Sequence, residues 1–151
     1  MFYNFRKNKK AFTLVELIVV IAIIAILGAV VGVTVSTFVQ RARRTAATNP
    51  LTELANMWEN KEDSQSLNDY IKDLLANGES YKNIRVSDKS QLTKKTGLGT
   101  FNIYFHDDNC GDYYGVLKIK DGMPDGAASA SDADDDKTKF TTTYKDNKIT
   151  E

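Results

Sequence analysis

The chain has one cysteine, one histidine, one tryptophan and two prolines among 151 residues. With Cys110 alone, no intrachain disulfide can form, so stability must come from a core, a metal or an assembly. A closed zinc site wants about four ligands, mostly Cys and His. His106, Asp107, Asp108 and Cys110 stand close together but do not meet that need, and Cys110 is read as a quiet thiol. No nucleophile, base and orienting group form a recognisable set, and Gly97-Leu98-Gly99 reads as a turn, not a phosphate loop. No enzyme activity is expected. The formal charge is zero, but it is unevenly placed. From Thr45 onward 13 Lys and Arg face 19 Asp and Glu, a net of −6. An acidic surface does not attract nucleic acid, so direct DNA capture by this part is not expected.

The largest absence is of charge along the chain. Between Glu16 and Arg41 lie 24 residues with none. As a helix they cover about 36 Å, enough to cross a hydrocarbon core about 30 Å thick with some tilt. Arg6, Lys7, Lys9 and Lys10 precede the run, and Arg41, Arg43 and Arg44 follow it. Four cations against three leave the charge rule for orientation nearly balanced. The run is too long for a secretory signal peptide, and its acid sits at the wrong end. A plain anchor fits the length but not Glu16. A carboxylate at the bilayer centre costs roughly 2.5–3.5 kcal/mol, so Glu16 needs a partner. Gly28 and Gly32 form a G-x-x-x-G pair that lets another backbone approach closely, and the same two glycines weaken the helix locally.

The string Ala11-Phe12-Thr13-Leu14-Val15-Glu16, after Lys9 and Lys10, resembles the cleavage and methylation motif of type IV prepilins and type II secretion pseudopilins. The resemblance covers about the first 45 residues. It implies that a prepilin peptidase and methyltransferase cuts between Ala11 and Phe12 and N-methylates Phe12. It also implies that Glu16 pairs with the terminal amine of a neighbouring subunit. The partners it implies are other copies of the chain and related pilins, an inner-membrane assembly platform with its ATPase, and membrane lipid. The head would lie outside the cytoplasm, first on the membrane and then on a filament. A pilus, a secretion pseudopilus and a competence pseudopilus all remain open. This chain departs from the family in three places. Ala11 stands where Gly is commoner, the apolar run has no proline, and no cysteine pair closes a C-terminal loop.

The expected organisation is a leader over 1–11, a membrane and assembly helix over 12–40, and a globular head over 41–151. The first helix should run from Phe12 to about Thr48, be interrupted at Asn49-Pro50, and resume with an apolar face of Leu51, Leu54, Ala55 and Trp58. Trp58 reads as a core anchor. A second helix carries Leu67, Tyr70, Ile71, Leu74 and Leu75 on one face, with Ser66 and Asp69 as a capping box and Asn77-Gly78 as its stop. Phe101, Ile103 and Phe105 alternate with Asn102, Tyr104 and His106, the period of a half-buried strand. A turn over 107–112 leads to a second strand with Leu117 and Ile119 inward. Phe140, Thr142 and Tyr144 mark a third strand, and 84–86 an extended piece. The fold class is therefore α+β, a helix spine on a small antiparallel sheet, as in pilin heads. The stretch 121–139 reads as a long disordered loop. Its Asp132, Asp134, Asp135 and Asp136 offer oxygens for calcium. Major secretion pseudopilins are similar in placing calcium in an acidic C-terminal loop. The spacing here matches no strict calcium loop, and a solvated loop is the commoner state of such a run. The reading of another class is a membrane-tethered binding or sensing domain that never polymerises.

Overall fold

The computed structural model describes residues 12–77, 81–138 and 140. The chain divides into two compact units, 1–39 and 40–151. The first contains the front of helix α1, Leu14–Met57. From Phe12 to Thr45 every described residue is exposed, apolar or not. Among the described residues this is the one helix long and apolar enough to cross a membrane, by length and composition.

The second unit is an α+β, pilin-like layout. The rear of α1 and helix α2, Leu67–Asn77, pack on an antiparallel sheet. Its strands are β1 (Ile84–Val86), β2 (Phe101–Phe105), β3 (Tyr114–Lys120), β4 (Met123–Pro124) and β5 (Ser129–Ser131), followed by a short helix α3, Asp134–Thr138. The order is β1-β2-β3-β4, and β5 also pairs with β3. Register sets the faces. Phe105 opposes Gly115, Ile103 opposes Leu117 and Phe101 opposes Ile119, so these residues share the side that meets Ala47, Leu51, Leu54 and Trp58 of α1.

The spine meets the sheet backbone to backbone at one point. A Cβ placed on Gly115 would lie 2.0 Å from the Ala47 carbonyl oxygen. Only glycine opposite alanine admits the helix this closely. Trp58 then closes the end of the core, donating its Nε1–H to the Gly122 carbonyl at 2.8 Å, with Tyr70 edge-on to its ring.

The expected interruption at Asn49-Pro50 does not occur: α1 runs on to Met57 with Pro50 inside it. An interior proline costs about 3 kcal/mol. Leu51 and Leu54 are fully buried immediately beyond it, and each contributes about 2 kcal/mol on burial. Packing therefore outweighs the proline. Helix α2 starts as expected, although Asp69 does not reach back to the Ser66 amide. Its N–H donates to Ser66 Oγ at 3.1 Å, and Ser66 Oγ–H donates to its carboxylate at 2.6 Å. Gly78, the expected stop, lies outside the described residues.

Strands β2 and β3 form the expected hairpin, but Tyr104 does not face solvent. With Tyr114, Val116 and Phe140 it makes a second apolar cluster. Phe140 is in a helical turn, not the expected strand; Thr142 and Tyr144 lie outside the described residues. The described part of the expected loop, 121–138, is not featureless. Met123–Pro124 and Ser129–Ser131 pair in succession along the free edge of β3, and the backbone hydrogen bonds of an open edge supply the reason.

Replacing Gly115 with Ala drives a methyl group into the Ala47 carbonyl and should destabilise the head by roughly 3 kcal/mol. Urea unfolding of the full chain in micelles, followed through the sole tryptophan, measures this.

Candidate processing and assembly site

The site is the front of α1. Phe12 and Thr13 precede the helix, which starts at Leu14. Thr13 and Glu16 cap it reciprocally. The Glu16 N–H donates to Thr13 Oγ1 at 3.2 Å. In return the Thr13 N–H and its hydroxyl each donate to Glu16 Oε2 at 2.8 Å. The carboxylate also lies in the first turn, where the helix dipole favours negative charge. Glu16 thus has a partner in its own chain. The signal for it was present in the sequence, because Thr13-Leu14-Val15-Glu16 before an apolar run is the capping-box pattern.

Further along, Gly28 and Gly32 are both helical, and nothing lies within 4 Å of where their Cβ atoms would be. The helix does not unwind at them. The Thr34 hydroxyl donates to the carbonyls of Val30 and Val31 at 3.2 and 3.0 Å, so it adds no unsatisfied donor to the apolar surface. Past the run, Arg43 lies across Gly111, and the Arg44 guanidinium sits 4.9 Å above the Tyr113 ring. These two cations are packed on the head. Ala11 lies outside the described residues.

The other candidates do not converge. Among the described residues no three His, Cys, Asp or Glu side chains gather where they could hold a metal. Asp134, Asp135 and Asp136 follow one another in the first turn of α3, and Asp136 accepts a hydrogen bond from Ser131 Oγ at 2.6 Å. Asp132 precedes them between β5 and α3. His106 donates from Nδ1 to the Tyr113 carbonyl at 2.9 Å and stacks on Tyr114. The buried Cys110 thiol donates to Asp107 Oδ1 at 3.0 Å, and Asp107 also accepts the Asn109 N–H. These groups hold the 107–113 turn together.

The sequence at the front of this helix matches a known signature. Residues 6–32 fit the family model of the prokaryotic N-terminal methylation motif. That motif marks type IV prepilins and pseudopilins, so the chain carries the signature of a precursor of that type, and it indicates a structural subunit. No curated protein and no solved structure matches the chain.

Burial pushes the Cys110 thiol from 9.0 up to about 12. The folded protein keeps this proton while the unfolded chain loses it. The contribution is complete below pH about 9 and is lost as pH rises towards about 12. Cys110→Ala should flatten the alkaline fall in stability over that window. Some slope remains at its upper end, because burial also raises Tyr70 from 10.0 to about 12. Denaturant midpoints across the window test this.

Proposed function

We propose that the chain is a subunit of a type IV pilus or related pseudopilus, processed at its front and polymerised through the apolar part of α1. The observation that carries this reading is the methylation motif running directly into an apolar helix with every described side chain exposed from Phe12 to Thr45. A monomer in water does not keep such a surface, so lipid covers it first and other copies of the chain afterwards.

The sequence of events follows from the residues. A membrane peptidase hydrolyses the bond between Ala11 and Phe12. Ala11 leaves as a carboxylate with the leader's four cations, and Phe12 acquires an amine, which is then methylated. The amine is basic whether methylated or not, and it stands beside an apolar surface. Glu16 of one copy pairs with this amine on the next, so two charges that are separately costly cancel where the dielectric is low. Only one axial offset between neighbours allows that pairing, so it also sets register. The Gly28 and Gly32 positions let neighbouring helices approach closely. An inner-membrane platform and its ATPase drive the addition, and the head stays outside the cytoplasm.

The bonds from Thr13 to Glu16 favour a second reading. They satisfy the carboxylate within one chain, as a membrane-tethered binding or sensing domain that never meets a second copy would need. That reading predicts an intact leader and no filaments.

Mass spectrometry of the mature amino terminus decides between them. The filament reading expects chains that begin at Phe12 with one added methyl group, and an Ala11→Trp variant that retains the leader. Full-length chains that begin at Met1 would contradict it.

A further inference from the structure

We propose that Thr13 is a positioning residue for leader removal: its capping bonds with Glu16 stop the helix short of the bond to be cut. This rests on the proposed cut between Ala11 and Phe12. A peptidase must reach the carbonyl of the scissile bond. Inside a helix that carbonyl accepts the N–H four residues on and is wrapped by neighbouring turns. For Ala11 the helical partner would be the Val15 N–H. Helix propensity does not prevent this, because Lys9, Lys10 and Ala11 are all good helix formers.

The cap prevents it by diverting donors. In a helix continued upstream, the Glu16 N–H would pair with the Phe12 carbonyl; it is bonded to Thr13 Oγ1 instead. The Thr13 N–H would pair with the Lys9 carbonyl; it is bonded to Glu16 Oε2 instead. The first regular bond runs from the Leu17 N–H to the Thr13 carbonyl at 3.2 Å, and Phe12 and Thr13 stay outside the helix. A capping Thr also takes non-helical backbone angles, which turns the chain before it out of the helix. The chain therefore starts its helix two residues after the cut, with the hydroxyl of Thr13 as the group that sets the boundary.

The test compares Thr13→Val, which keeps shape and branching but loses the hydroxyl, with Thr13→Ser, which keeps the hydroxyl. Full-length precursor in membrane vesicles is incubated with its peptidase, and kcat/KM for leader removal is measured. In parallel, carbon chemical shifts of labelled Ala11 are recorded for each precursor in micelles. Thr13→Val should be cut about fivefold more slowly, with the Ala11 shifts moving towards helical values; Thr13→Ser should behave as the parent in both. An unchanged rate for Thr13→Val overturns the proposal. So does a slowed rate with unmoved Ala11 shifts, which would mean that the peptidase reads the hydroxyl directly. A parent chain left uncut at Ala11 overturns both this inference and the processing reading beneath it.

Discussion

Helix α1 has to satisfy two surroundings with one continuous backbone. Beyond Glu16 and as far as Gln40 it carries no charge, and every described side chain there is exposed; from Ala47 onward it is apolar on the face that meets the sheet. A helix apolar all round is stable only in lipid or among other apolar helices. A one-faced helix is stable only against a partner surface. The head depends on the second condition. Ala47 and Gly115 bring the backbones together, Leu51, Leu54 and Trp58 fill the space beyond, and the sheet faces are arranged around that contact. Pro50 is carried along because the burial that follows it is worth more than the hydrogen bond it removes.

Much of this is visible in residue spacing alone. The four-residue rhythm of Leu51, Leu54, Ala55 and Trp58 and the two-residue rhythm of β2 and β3 report local geometry, and local geometry is what periodicity encodes. The misses concern long-range contacts. Tyr104 occupies a polar-face position of β2 by period, and it is buried because Phe140 and Tyr114 arrive from elsewhere in the chain. The small and acidic residues after Asp121 have weak local preferences, and their strands exist because β3 has an edge to fill. At the site, the cleavage string was legible at once and the cap inside it was not. The cap lies wholly inside the cleavage string, so the same Thr13 and Glu16 carry both signals.

Glu16 therefore has two claims on its carboxylate. Thr13 offers it two hydrogen bonds on one oxygen, Oε2, within the chain. A neighbouring amine would offer a full positive charge. Hydrogen bonds to an ionised group are stronger than those between neutral groups, and an acid beside an apolar run needs such partners. In the proposed filament the cap would hold the acid before assembly, and the charge would remain to direct the neighbour. The two roles need different properties of one side chain: an acceptor oxygen for the cap and a negative charge for the amine.

Glutamine separates them, because its amide oxygen still accepts from Thr13 while its charge is gone. The most direct measurement is the filament yield of Glu16→Gln in cells whose leader removal has been verified. The account predicts normal processing and a membrane pool of mature subunits with filaments lost or nearly so. Filaments at the parental level would show that the charge of Glu16 has no part in assembly and that its role is the cap alone.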